Sequence, residues 1–213
     1  MLVKQKQLKK KDVTVVKETD SISAALDQLN ISGYRCIPVV DETGEKFVGN
    51  IYKVEILEYK LKDGDMQAPV KQLTEEADAF VTETSSFFEV FKSLKQLPYL
   101  AVVDEKGTFT GILPHSNVIE LIEEAWGYRT GSCALTITLT DSDGMLVRVL
   151  TAIKKIWEIH SVFSLDDNTT YLRRVIVSLK KGANQSTIKE IEQAIIKKGA
   201  RIIDIEVFDK ENY

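Results

Sequence analysis

One stretch of this chain is written twice. Shifting the sequence by 65 residues lays "FVTETSSFFEVFKSL" (80–94) on "VVKETDSISAALDQL" (15–29). A two-residue deletion then brings "AVVDEKG" (101–107) onto "PVVDETG" (38–44). Val16, Glu18, Thr19, Ser21 and Leu29 recur as Val81, Glu83, Thr84, Ser86 and Leu94, and after one more deletion Phe47 and Gly49 match Phe109 and Gly111. A duplication of this length restricts the fold to two copies of one supersecondary unit. Neither copy has enough apolar surface to stand alone, so the copies are expected to pack around a pseudo-twofold axis, leaving symmetric clefts between them.

Each copy parses as β-α-β-β-α. A short β-rich run (13–16, 79–82) leads through Ser/Thr to an amphipathic helix with Ile22, Ala25, Leu26 and Leu29, or Phe87, Val90, Phe91 and Leu94, on its apolar side. Ser86 and Glu89 have the spacing of a capping box. A buried strand, an Asp-Glu-x-Gly turn and a second strand ending at Gly49 or Gly111 follow, then a closing helix over about 53–62 or 115–126.

Beyond "EEAWGYRTGS" the pattern changes. Gly127, Gly131 and Ser132 read as a linker. Then come strand 133–140, loop "DSDG" (141–144), helix 145–157, strand "IHSVFSL", turn "DDNT", strand "YLRRVIVSL", helix 186–199 and strand 200–208. This β-α-β-β-α-β order is the split βαβ, or ferredoxin-like, arrangement. The expected class is α+β, with repeats at 1–64 and 65–127, a linker at 128–132 and a third domain at 133–213.

Composition narrows the function. A net charge of −4 argues against a nucleic-acid polymer as partner, since such binders carry a basic domain. The N-terminal lysines Lys4, Lys6, Lys9, Lys10 and Lys11 read as a solvated entry to the first strand, with an anion site as the alternative. No apolar run approaches a membrane span and no signal-peptide pattern follows Met1. Cys36 and Cys133 stand far apart without metal-ligand spacing, which fits a reducing cytoplasm and predicts no metal. No nucleophile–base set, HExxH, P-loop or GxGxxG is present, and His160 has no partner nearby in sequence, so no catalysis and no cofactor are expected.

With the duplicated "P-V-V-D-E-x-G…F-x-G" strand pair quoted, residues 1–127 resemble a tandem pair of CBS domains, the Bateman module. Residues 133–208, with "LTDSDGMLVRVLTAI" opening their first helix, resemble an ACT domain. Together they look like AcuB-like and cyclic di-AMP-binding CBS–ACT regulatory proteins. The resemblance implies a homodimeric ligand sensor that holds an adenine nucleotide between the repeats. By position, the adenine side falls to Thr14 and to Tyr34, Arg35, Cys36, Ile37 and Pro38. In the second repeat it falls to Ala79 and to Pro98, Tyr99, Leu100 and Ala101.

The family's ribose element, Ser/Thr-x-x-Asp after the strand-ending glycine, is altered in both copies. Tyr52 and Glu55 stand there in the first, Pro114 and Asn117 in the second. Glu55 carries its carboxylate about 1.5 Å further out than Asp, and Asn117 has no charge. A ligand whose 3′-oxygen is already esterified needs that carboxylate less, which favours cyclic di-AMP over AMP or ATP.

Arg35 is read either as a bidentate phosphate donor or as a surface arginine. Lys53 and His115 begin the closing helices, where anions are favoured, although His115 also suits a capping or surface role. Tyr34 and Tyr99 are base-stacking or core aromatics. In the ACT-like part, Asp143, Gly144, Met145 and Leu146 occupy the family's effector position, although Asp143 better suits an ordinary N-cap. The expected function is a non-enzymatic sensor signalling to an unidentified downstream protein. The alternatives are an AMP or ATP sensor, an amino-acid sensor acting through the ACT-like domain, and a ligand-free scaffold.

Overall fold

The two copies of the repeat fold alike, but they share their strands unequally. The computed structural model describes residues 3–94, 97–140, 142–165 and 172–208. The chain divides into two compact units, Met1–Ile119 and Glu120–Tyr213.

In the first repeat, β2 (Val16–Lys17), β3 (Cys36–Val40) and β4 (Phe47–Tyr52) form a sheet in that order, with helices α1 (Ile22–Ser32) and α2 (Lys53–Leu61). In the second, β5 (Phe80–Thr82), β6 (Tyr99–Val103) and β7 (Phe109–Pro114) repeat it, with α3 (Phe87–Ser93) and α4 (His115–Trp126). The second sheet gains a fourth strand from the other end of the unit: β1 (Leu8–Lys9) pairs antiparallel with β7, Leu8 opposite Ile112 and Lys9 opposite Gly111. The equivalent contact in the first repeat comes from the inter-repeat strap, where Asn50 bridges Glu75.

Local chemistry explains the helix ends. Ser21 Oγ accepts from Ala24 N at 3.1 Å, and Gly33, at φ 71°, ends α1 in the left-handed conformation that glycine adopts without penalty. Ser86 and Glu89 form the expected capping box on α3. Ile22, Ala25 and Leu29 of α1 bury against β3 and β4 in the first core, and Val90 and Leu94 against β6 and β7 in the second. A third apolar cluster joins the repeats: Val40, Ala101 and Phe109, with Val13, Val15, Phe47 and Ile112 packed on it. Phe47 stacks on Phe109 with ring centres 6.2 Å apart.

The strand expected at 13–16 is shorter. Only Val16 and Lys17 pair, in parallel, with Val39 and Val40. Residues 10–12 form a 3₁₀ turn carrying the chain from the edge of β7 toward β3, so Val13 and Val15 pack between the repeats. The N-terminal lysines are more than a solvated run. Lys4 pairs with Glu83 at 2.9 Å and Lys10 Nζ donates to Gly44 O at 2.6 Å.

In the second unit, β8 (Gly131–Thr140), β9 (Ile159–Leu165), β10 (Leu172–Lys180) and β11 (Arg201–Val207) form an antiparallel sheet in the order β11-β8-β10-β9. Helices α5 (Met145–Lys154) and α6 (Gln185–Ile196) cover one face. Alternate residues Leu135, Ile137 and Leu139 of β8 meet Val149 and Ile153 of α5 and Ile188, Ile191 and Ile195 of α6 in one core. Gly131 and Ser132, read as linker, are buried at the start of β8, where Ser132 Oγ donates to Lys180 O and accepts from Ala183 N. Asp141, the turn at 166–169, Tyr171 and the final residues 209–213 lie outside the described residues. Among those described, no helix is long and apolar enough to cross a membrane.

Candidate functional site

A cavity of about 480 Å³ opens between the two repeats. Its first wall comes from repeat 1: Asp12, Val13 and Thr14 of the crossing segment, Gly33 at the end of α1, and Tyr34–Pro38 entering β3. The second comes from repeat 2: Pro98 and Tyr99 entering β6, Ile112 and Pro114 of β7, and Ser116 in the first turn of α4, with Leu8 of β1 beside them. Volume and lining suit a small molecule with a flat apolar portion and a polar end. Tyr34 and Arg35 are exposed at the rim; Cys36, Ile37 and Pro38 are buried behind them.

The structure thus gathers Thr14, Tyr34, Arg35, Cys36, Ile37, Pro38, Pro98 and Tyr99 at one cleft. Ala79 and Leu100 line a different one, of about 430 Å³, with Glu76, Asp78, Lys92, Ser93 and Leu97. Ala101 is fully buried in the inter-repeat core, so its side chain faces neither cavity. Lys53 and His115 begin α2 and α4, their amides donating to Arg35 O at 2.9 Å and Pro98 O at 3.0 Å. Neither side chain lines the two clefts, nor does Glu55. Asn117 is committed elsewhere: its Nδ2 donates to Lys6 O at 2.8 Å, tying the N-terminal segment to α4.

Sequence reading missed Asp12, Ile112 and Ser116 in the first cleft. Asp12 closes a lysine run that reads as solvated surface, and only the 3₁₀ turn brings it to the cavity. Among the described residues it is the one carboxylate in the lining.

A buried hydrogen-bonded chain runs from the first cleft toward the second. Cys36 Sγ lies 3.5 Å from Tyr99 Oη, and Tyr99 donates to Asn50 Oδ1 at 2.6 Å. Asn50 Nδ2 and Tyr52 Oη both donate to Glu76 Oε2, at 3.0 and 2.6 Å. Asn50 is fully buried, and Tyr99 nearly so. Burial pushes the Cys36 thiol up to about 11, outweighing its hydrogen bonds to Tyr99 and Tyr52, and holds the Tyr99 phenol well above its ordinary value. At neutral pH both stay protonated and serve as donors.

In the second unit, Asp143, Gly144 and Leu146 line a smaller cavity of about 320 Å³ with Leu139, Ser142, Val147 and Arg173. Gly144, at φ 72°, is the residue ahead of α5, so Asp143 does not cap that helix. Met145 is buried in the core below. Among the described residues, no three or more His, Cys, Asp or Glu side chains are grouped to hold a metal ion.

Comparison with curated proteins found no match. Solved structures do match. A CBS domain pair/ACT domain protein from Thermotoga maritima is 26% identical, with a TM-score of 0.51 over 59% of this chain and 98% of that one. CbpB in complex with c-di-AMP is 19% identical, with a TM-score of 0.53 over 58% of this chain and 85% of that one. CBSX2 in complex with AMP is 23% identical, with a TM-score of 0.51 over 58% and 96%. The last two likenesses are of fold alone. The family model of the CBS domain matches twice, over residues 6–62 and 70–124. Those two stretches are the two copies of the repeat and make up more than half of the sequence, and the chain belongs to the CBS-domain family as a tandem pair.

Proposed function

We propose that this protein is a non-enzymatic regulatory sensor that binds an adenine nucleotide in the 480 Å³ cleft between its CBS repeats. The observation that carries the reading is the convergence there of Thr14 and Tyr34–Pro38 with Pro98 and Tyr99 of the other repeat. A base fits among the apolar faces of Ile37, Pro38, Ile112 and Pro114, whose neighbouring strand backbone offers edge contacts. Arg35 at the rim and the start of α4 suit phosphate. CBS-pair structures of the same fold are complexes with c-di-AMP and with AMP.

Cyclic di-AMP is the preferred ligand. Pro114 stands at the ribose position, and Asn117, whose Nδ2 donates to Lys6 O, does not line the cleft, so that motif brings no carboxylate to a free 2′,3′-diol. A 3′,5′-phosphodiester presents only its 2′-hydroxyl. A second reading rests on Asp12, whose carboxylate in the same lining suits the diol of AMP.

In the same reading, residues 1–64 and 65–127 are the two CBS domains and 133–213 an ACT domain that joins two chains or takes an amino-acid effector at Asp143–Leu146. The protein is a cytoplasmic homodimer, and the ligand shifts its population between two states that a downstream protein distinguishes. Calorimetric titration with cyclic di-AMP, AMP, ATP and amino acids tests this. Cyclic di-AMP binding that Arg35→Ala weakens at least tenfold supports the preferred reading. Tight AMP binding lost in Asp12→Asn, with no response to cyclic di-AMP, establishes the second. Silence to every nucleotide refutes both.

A further inference from the structure

The register of the two hairpins places equivalent residues side by side. Tyr52 sits opposite Cys36 as Pro114 sits opposite Tyr99, and Asn50 opposite Pro38 as Ile112 opposite Ala101. In the first cleft the pair from the facing repeat is Ile112 and Pro114, short and apolar, and the cavity is open. In the second cleft the corresponding pair is Asn50 and Tyr52, both donating to the Glu76 carboxylate.

Glu76 reaches them from the inter-repeat strap. Its backbone is at φ 58°, a left-handed conformation that costs a non-glycine residue, while the Asn50–Glu75 bridge beside it is held by two backbone bonds of 2.7 and 3.0 Å. Lys9, the equivalent residue next to the Leu8–Ile112 pair, is exposed instead. The remaining 430 Å³ of the second cleft is lined by neither Asn50 nor Tyr52, and among the described residues presents Glu76 and Asp78 with Lys92. Two carboxylates lining a cavity oppose an incoming phosphate.

We infer that the CBS pair has one nucleotide site per chain, in the first cleft, because Tyr52 and Glu76 occupy the inner end of the second. The inference rests on the nucleotide reading above and specifies which of two equivalent sites that reading uses. For a ligand to seat in the second cleft, the Tyr52–Glu76 bond must break and Tyr52 must vacate the space that Pro114 leaves open in the first.

Calorimetry that counts sites with AMP and with cyclic di-AMP as probes tests it. The wild-type chain is expected to take no more than one equivalent of either probe. Thr14→Phe, which fills the first cleft, is expected to weaken that binding at least tenfold. The double variant Tyr52→Ala/Glu76→Gly is expected to gain a second equivalent. Two equivalents on the wild-type chain, undiminished binding in Thr14→Phe, or a folded double variant still at one equivalent overturns the inference and leaves the nucleotide reading standing. Should the double variant fail to fold, wild-type protein photolabelled with 8-azidoadenosine monophosphate decides. Label confined to the peptide holding Tyr34–Pro38 supports the inference, and label at Lys92 or Ser93 overturns it. No binding of any probe to any form overturns both.

Discussion

Gly111 lies within β7, which runs three residues beyond the strand end expected from sequence, and its replacement by alanine tests how the two ends of the CBS pair are held together. Its φ of 158° lies in a region that L-residues rarely adopt. A methyl group there would run into the Leu8 carbonyl and crowd Lys10 N, both of them backbone atoms of the crossing segment that cannot swing aside. The variant must therefore release residues 3–10. That loses the Asn117–Lys6 bond and the Lys10–Gly44 bond, worth about 1 kcal/mol net each. It also exposes Val3, fully buried in the second-repeat core, for about 2 kcal/mol more.

Leaving the β1–β7 ladder uncounted, Gly111→Ala should cost about 4 kcal/mol, a fall of roughly 8–16 °C in Tm for a chain of this length. Gly107→Ala is the internal control. Its φ of 79° carries the same kind of strain, but nothing lies within 4 Å of the added methyl. It should cost only about 1–2 kcal/mol. Thermal and urea unfolding measure both, and hydrogen exchange should show amides 6–10 losing protection in Gly111→Ala alone. If the two variants fall within about 1 kcal/mol of each other, close approach to the strap is not what requires glycine, and the reasoning fails.

Three further outcomes rest on other buried groups. Tyr99→Phe strands the Asn50 Oδ1 acceptor in a fully buried position and should destabilise by about 1–3 kcal/mol in urea titration; no change would mean that water or another donor replaces the phenol. Cys36 and Cys133 are raised from 9.0 to about 11 in the folded protein, chiefly by burial. Their stabilisation is complete below pH 9 and is lost as pH climbs through 11, so unfolding midpoints should fall over that window and fall less in Cys36→Ala/Cys133→Ala. Leu135→Ala, at the centre of the β8–α5–α6 core, should cost 2–5 kcal/mol of second-unit stability by calorimetry, within the range for buried leucine truncations.

The parts of the fold that were legible in sequence are those where period and burial coincide. Alternation along β8 sends Leu135, Ile137 and Leu139 to one face, and the three- and four-residue spacing of Ile188, Ile191 and Ile195 marks α6 against it. The capping box at Ser86 was readable because both partners lie within one helical turn. What escaped depends on distance along the chain. β1 is two residues long inside a lysine-rich run, too short to show a period, and its partner lies about a hundred residues away. Glu76 has nothing in its sequence to announce a left-handed backbone or an inward carboxylate. The Cys36–Tyr99 contact joins residues 63 positions apart. Tyr99, readable as stacking or core, is both a buried residue and part of the cleft wall, because a strand that enters a core at the rim of a cavity exposes its first side chain to it.

The internal duplication also separates what the scaffold requires from what the clefts are free to vary. Gly49 and Gly111 both persist because each faces a backbone carbonyl of a crossing strand, Glu75 O in one copy and Leu8 O in the other. Asp41 and Asp104 both persist because each accepts backbone N–H bonds across its hairpin turn, which hold both carboxyls below their ordinary value. Lys53 and His115 differ chemically, yet each starts its helix by the same amide bond to the residue just ahead of β3 or β6 in its own repeat, so only the backbone is constrained. At the cleft-facing positions the copies part company: Cys36 against Tyr99, Asn50 against Ile112, Tyr52 against Pro114. None of these side chains closes a hairpin or caps a helix, so the copies differ there while keeping the same order of strands and helices. The asymmetry between the copies is therefore concentrated at these hairpin positions, and not at the turns and backbone crossings that both copies keep.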